Sequence, residues 1–271
     1  MVSYVVTGSN RGIGFAFVQK LSANPQNIVF ALTRNKANSA DLLELQSKLQ
    51  NVHVLQADIT DILALQDVAK EIEEVTGGTL DVLINNGAHL SPERDDYTLD
   101  AYDGKEDLLE KDFIDFFKVN TLGVIKTINV FLPLLRNASQ KCLAKVITIS
   151  APAAEIDFNL KTGLSFWAPY AVSKAGVNMV TAKYAARFKD DNLVFLSLSP
   201  GPVNTLGDAP KEVQETAYGP LIEIFRSGYP EWDGEFLRPE RSVSLMLDVI
   251  SKITARDNGA FVSQYGNQRW L

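Results

Sequence analysis

Residues 4–14 read YVVTGSNRGIG, and a segment with helical spacing follows over 12–23. Tyr4–Thr7 is a short Val-rich run of the kind that a strand buried on both faces requires. Gly8, Gly12 and Gly14 then interrupt the chain within one short turn. Glycine there removes the Cβ that would block a tight turn and hold a phosphate away from the backbone. The helix that starts inside the turn presents unpaired N–H groups and the positive end of its dipole. Strand, glycine turn and helix N-terminus, in that order, make a pyrophosphate cradle, with Asn10, Arg11 and Ile13 as its other residues. The glycine spacing departs from the more usual G-x-G-x-x-G, so the turn needs support from the rest of the chain.

That support comes from alternation. Strand-like runs recur at Ile28–Leu32, Val52–Gln56, Val82–Ile84, Lys145–Ile149, Val194–Leu198 and Phe261–Val262. Segments near 39–49, 61–76, 106–135, 168–188 and 239–254 have helical spacing or length. Strands alternating with helices along a whole chain predict an α/β fold, a doubly wound parallel sheet of the Rossmann type. We find no repeat and no linker, so residues 1–271 are read as one domain. The Pro/Gly-rich stretch 200–239 reads as a lid-like insertion before the last helix and strand.

Composition narrows the function classes. The 271 residues carry a formal charge of −7, with a sequence pI near 5.0. That balance argues against general nucleic-acid binding. Cys142 is the single cysteine, so no intramolecular disulfide forms and a reducing compartment is expected. No apolar run approaches a membrane span, and the N-terminal residues enter a strand with no basic region before them. A cytoplasmic protein with no membrane partner is the expectation. The acid concentrates in 91–112, SPERDDYTLDAYDGKEDLLEKD, read as a solvated loop and helix start. A docking surface for a basic partner is the alternative there.

Two further features bear on chemistry. The second strand ends in Ala31-Leu32-Thr33-Arg34-Asn35-Lys36, where an NAD-binding fold usually places an acid for the ribose hydroxyls. An acid would repel a 2′-phosphate, whereas Arg34 grips one, with Arg11 as a second contact; NADP(H) is therefore favoured over NAD(H). Tyr170 and Lys174 stand four apart on one helix face. A phenol is a poor acid or base at pH 7, and an adjacent ammonium favours its ionised form. Such a Tyr can protonate a carbonyl oxygen while hydride arrives at the carbon.

Taken together, the chain resembles the short-chain dehydrogenase/reductase family over nearly its whole length. TGSNRGIG at 7–14 matches the family's T-G-x-x-x-G-x-G turn, which accounts for the glycine spacing. Asp58-Ile59-Thr60 matches the adenine segment, Asn85-Asn86-Gly87 the N-N-A-G segment, and Val119-Asn120 the structural and catalytic Asn. Tyr170-Ala-Val-Ser-Lys174 matches Y-x-x-x-K, and Pro200-Gly201-Pro-Val203-Asn-Thr205 the P-G-x-V-x-T segment beside the nicotinamide. The tail from Asn258 to Trp270 looks like that of the sniffer and C-factor carbonyl reductases. The resemblance implies that Lys174 holds the ribose and lowers the Tyr170 pKa, and that Asn120 organises a water in the proton path. It also implies a Ser at the end of the fifth strand that holds the substrate oxygen.

Some positions depart from the family. Ile149-Ser150-Ala151-Pro152 stands where the family has I-S-S, so register puts Ala151 in the catalytic slot. Ser150 is nevertheless expected to serve, if Pro152 distorts the strand end and turns it inward. Gly87-Ala88 replaces Ala-Gly, and His89 follows it. His89 either replaces the Ser as a donor or is a loop histidine with a backbone partner; no metal spacing accompanies it or His53. The expected activity is NADPH-dependent reduction of an aldehyde or ketone to an alcohol. The substrate is expected to be apolar or aromatic, because Phe158, Phe166, Trp167, Tyr218, Phe225 and Trp232 are available near the insertion. The alternative is an NADP(H)-binding sensor or interaction protein with weak catalysis. A homo-oligomer through segments 113–135 and 168–188 is a further possibility.

Overall fold

The computed structural model describes residues 1–94, 96–207 and 209–271. Its strands are β1 (Val2–Thr7), β2 (Asn27–Thr33), β3 (Val52–Gln56), β4 (Val82–Asn85), β5 (Ala144–Ile149), β6 (Leu193–Leu198) and β7 (Phe261–Val262). They form one parallel sheet in the order β3-β2-β1-β4-β5-β6-β7. Strand order reverses between β1 and β4, and open sheets of this kind bind ligands at the carboxyl ends of the strands beside that reversal. The anticipated strands are all present, within a residue or two at their ends.

Both faces of the sheet are covered, which is why its strands are continuously apolar rather than alternating. On one face Val6, Val29, Ile147 and Leu196 pack beneath α1 (Gly12–Ser22), α2 (Ala40–Lys48) and a later helix, Pro239–Lys252. On the other face their neighbours Val5, Phe30, Val146 and Phe195 pack beneath α3 (Ile62–Thr76) and further helices. Successive strand residues thus serve opposite cores, as the pleat demands. Asp61 caps α3 by accepting from the Leu63 and Ala64 N–H groups, and Gly77 ends it at φ +67°.

The segment expected to be helical over 106–135 is not one regular helix. It comprises α4 (Glu106–Phe117), a π turn at Lys118–Gly123 and α5 (Val124–Ser139). Single π turns occur frequently at functional sites. Two helices were not anticipated: α6 (Ile156–Thr162), and α8 (Lys211–Gly228) inside the 200–239 stretch. Pro220 interrupts α8 and hid its periodicity, yet Gln214, Tyr218, Leu221 and Phe225 keep one helical face. Between them lies α7 (Ala168–Arg187), and α9 is Pro239–Lys252. Ala153, Phe158, Leu164, Leu221, Phe225 and Trp270 form a third apolar cluster linking α6, α8 and the C-terminal tail.

The acid-rich stretch is only partly the solvated loop expected. Asp112 is buried and takes two bonds from Arg94, Nε at 2.6 Å and Nη2 at 2.7 Å, and one from the Tyr102 hydroxyl at 2.9 Å. Burial pushes its carboxyl up, but the Arg94 and Tyr102 hydrogen bonds outweigh that and hold it below the usual range. Among the described residues, no helix is long and apolar enough to cross a membrane.

Candidate active site

The glycine turn is clamped to the end of β4. The Thr7 hydroxyl accepts from the Asn86 and Gly87 N–H groups, both at 3.0 Å, and Asn86 Nδ2 donates to the Thr7 and Gly8 carbonyls. A Cβ on Gly8 would lie 2.6 Å from Gly87 Cα, and one on Gly14 would lie 2.2 Å from the Gly8 carbonyl oxygen. Packing therefore demands those two glycines. Gly12 differs: it sits at φ +56°, and a Cβ there would meet only Thr205 Cγ2, at 3.9 Å. Arg11 precedes α1 with extended backbone and no capping bond, and the first turn of the helix holds no acid. This leaves an electropositive helix end beside open space, which fits a pyrophosphate.

The other cofactor candidates follow the carboxyl ends of β2, β3 and β6. Arg34 follows β2 directly; it and Arg11 are exposed, and neither forms an ion pair among the described residues. Two unengaged cations fit a 2′-phosphate. The Asp58 carboxylate accepts from the Thr60 N–H and hydroxyl, shaping its own turn. Ile59 is buried against Gly123, where a Cβ would come within 3.0 Å of its side chain. Val203 pairs with Leu237, and Pro200 accepts from the Ser242 hydroxyl.

Tyr170 and Lys174 share one face of α7, with Pro169 in the first turn of the helix. Lys174 is buried, and its Nζ donates to the Ile149 carbonyl at 2.7 Å. Burial pushes its ammonium down from an ordinary 10.5 to about 8. The same Nζ stands 5.7 Å from the centre of the Tyr170 ring. Asn120, in the π turn, is held from two sides. Its Oδ1 accepts from the His89 N–H at 2.6 Å, and its Nδ2 donates to the Ser173 hydroxyl at 3.0 Å. Ser173 in turn donates to the Tyr170 carbonyl at 2.7 Å, while Thr121 donates to the Ser173 carbonyl. The irregular turn thus joins the β4 loop to the helix carrying Tyr170. Ser173 lies inside Y-x-x-x-K and was legible only as a spacer.

Pro152 leaves the end of β5 regular, contrary to the distortion anticipated. Ser150 N still donates to the Leu198 carbonyl at 2.9 Å, and Ala151 is extended. Alternation alone puts Ser150 on the face of Val146 and Thr148, the side covered by α5 and α7. Its hydroxyl is buried and has no hydrogen-bond partner among the described residues. The His89 ring packs edge-on against Phe116 at 4.7 Å, and its backbone, rather than its imidazole, is what engages Asn120.

Aromatic rings flank Tyr170. Phe116 and Trp167 meet its ring edge-on, at 6.3 and 6.4 Å, and Phe166 packs on Trp167. Trp167 stands at φ +62°, the one non-glycine residue with positive φ among the described residues. Phe116 carried no signal in the sequence. Of the six aromatics expected to line a pocket, Phe158 and Phe225 are buried in the third cluster, whereas Phe166, Trp167, Tyr218 and Trp232 remain partly exposed.

The chain is similar to known proteins in both sequence and fold. The profile of the short chain dehydrogenase family matches residues 3–216. The short-chain dehydrogenase/reductase atnB of an Arthrinium species is 38% identical over 271 residues, covering all of both chains. AacuF of Aspergillus aculeatus, also a short-chain dehydrogenase/reductase, is 40% identical over 280 aligned positions, again covering both chains fully. Among solved structures, the NADPH-bound carbonyl reductase from chicken fatty liver superposes with a TM-score of 0.77 at 29% identity, covering 98% of this chain and 97% of that one. The carbonyl reductase Sniffer of D. melanogaster gives 0.79 at 25% identity and covers 98% of each chain. On the profile match over most of its length and on full-length relatives at 38–40% identity, the chain belongs to the short-chain dehydrogenase/reductase family of oxidoreductases.

Proposed function

We propose that this oxidoreductase reduces an aldehyde or ketone to an alcohol with NADPH, using Tyr170 as the proton donor. The observation that carries the reading is the Tyr170–Lys174 pair, with Lys174 buried under the end of β5 at Ile149. Gly8, Asn10, Arg11, Gly12, Ile13 and Gly14 would hold the pyrophosphate, and Arg34 with Arg11 the 2′-phosphate. Asp58, Ile59, Asn86, Gly87, Pro200, Val203 and Thr205 would line the rest of the dinucleotide site. Bound there, the cofactor supplies the hydride. The Tyr170 phenol gives its proton to the carbonyl oxygen as negative charge develops on it. Lys174 favours the phenolate left behind and holds the ribose, while Asn120 keeps the proton path in line with α7. Ser150 would hold the substrate oxygen.

The partly exposed aromatic side chains beside Tyr170 support an apolar or aryl substrate under the 200–239 insertion. A pure cofactor-binding sensor has no need of a buried lysine beside a tyrosine, so we favour the enzyme. Tyr170→Phe should abolish NADPH-dependent reduction across a panel of aldehydes, α-diketones and aryl ketones, while NADPH still binds in titration calorimetry. Turnover retained by that variant would assign the proton to another group, His89 first.

A further inference from the structure

The loop after β6 is held in shape from the side of α8. The Thr205 N–H donates to the Tyr218 hydroxyl at 3.1 Å, and that hydroxyl donates onward to Asn204 Oδ1 at 3.2 Å. Asn204 Nδ2 donates to Gln214 Oε1 at 2.9 Å, and Gln214 Nε2 donates to the Gly207 and Ala209 carbonyls. A second strap closes the loop from behind: Leu237 N donates to the Pro202 carbonyl and Asn204 N to the Leu237 carbonyl, both at 2.8 Å. The Tyr218 ring is fixed independently, stacked on Phe236 at 4.3 Å between centroids.

This network faces the glycine turn. Thr205 is the residue that a Cβ on Gly12 would approach, so the N–H held by Tyr218 belongs to the segment opposite the open end of α1. The helix that supplies Tyr218 is divided by Pro220, whose missing N–H removes one rung of its ladder. Beyond Pro220, Leu221 and Phe225 are buried in the third cluster, and Gly228 is packed so closely that a Cβ would lie 2.8 Å from the Lys161 carbonyl oxygen. The half before Pro220 carries Gln214 and Tyr218 and meets the loop. The half beyond Pro220 is anchored in that cluster, and Tyr218, before it, packs on the cluster while its hydroxyl reaches the loop.

The geometry points to Tyr218 as a positioning residue for the dinucleotide: its hydroxyl, working through Asn204 and Thr205, holds the segment that stands beside Gly12 of the glycine turn. This rests on the proposed NADP(H) site. Tyr218 does not touch the cofactor in this assignment; it sets the shape of a segment that does.

Tyr218→Phe keeps the ring on Phe236 and removes only the hydroxyl. NADPH affinity, measured by titration calorimetry on the full chain, should fall roughly 5- to 10-fold, the worth of one good hydrogen bond. The Tm without cofactor should fall by no more than about 2–4 °C, the worth of that one hydrogen bond in a chain of this size, because the ring packing is untouched. Asn204→Ala should weaken NADPH at least as much, and the double variant should be no weaker than Asn204→Ala alone, since both act through one network. Wild-type affinity in Tyr218→Phe, or losses that simply add, would overturn the inference while leaving the NADP(H) site standing. A fall in Tm well beyond that, without cofactor, would reduce Tyr218 to a structural role. An unaltered protein that does not bind NADPH would overturn the site and the inference together.

Discussion

Replacing Lys174 by methionine isolates the free energy stored in one buried charge. Methionine is similar in length and apolar, so it fills the space without the ammonium. Lys174 is buried, with the Ile149 carbonyl as its hydrogen-bond acceptor, and its folded-state value is about 8 against an ordinary 10.5. The sign follows from proton counting. Between about pH 8 and 10.5 the unfolded chain keeps the proton on this amine and the folded chain has released it. Stability therefore rises with pH across that window, and the cost of the charge is fully present below it. The gap corresponds to about 3 kcal/mol at 1.36 kcal/mol per pH unit. Urea unfolding of both proteins at pH 7, 8, 9 and 10, without cofactor, measures it, because titrations not coupled to Lys174 cancel in the difference. Wild type should gain about 3 kcal/mol on Lys174→Met between the two ends of the window. Activity should run the opposite way: losing the ammonium lowers kcat/KM above pH 8, since the free enzyme then lacks the charge that favours ionised Tyr170. Parallel stability curves for the two proteins would refute a buried ammonium at this position.

Two further outcomes test the site. Arg34→Ala should weaken NADPH about 10-fold or more and leave NADH nearly unchanged, as expected for loss of a charge-assisted phosphate contact; equal affinities for the two cofactors in the unaltered protein would remove the NADP(H) preference. Ser150→Ala should cost about 100-fold in kcat and Ala151→Ser should gain little; a silent Ser150→Ala alongside a faster Ala151→Ser would transfer the role to position 151.

The sheet and the glycine turn were legible in the sequence because both are written in local terms. Val and Ile runs such as Val194–Leu198 fit only strands covered on both faces, and strand–helix alternation leaves few other ways to cover them. Tyr170 and Lys174 were readable because a fixed helical pitch turns a spacing of four into a shared face. Even Gly8 and Gly14 could be singled out from their order, although the reason Gly14 must lack a Cβ is the Gly8 carbonyl 2.2 Å away.

What only the tertiary structure decided depends on contacts between residues far apart in the chain. The π turn at Lys118–Gly123 could not be seen in its own composition, because Asn120 and Thr121 form it while bound to His89 and Ser173 on other elements. The failure of Pro152 to turn Ser150 could not be read locally either; pairing β5 with β6 carries the regular pleat through to the strand end, so Ser150 and Ala151 keep opposite faces. Helix α8 was obscured by Pro220, since a local reading counts the lost N–H but not the burial of Leu221 and Phe225 that offsets it. The lowered pKa of Lys174 is the clearest case. A lysine four residues after a tyrosine is charged and solvated by default, and only the packing of α7 against the end of β5 removes the water that would have kept it so.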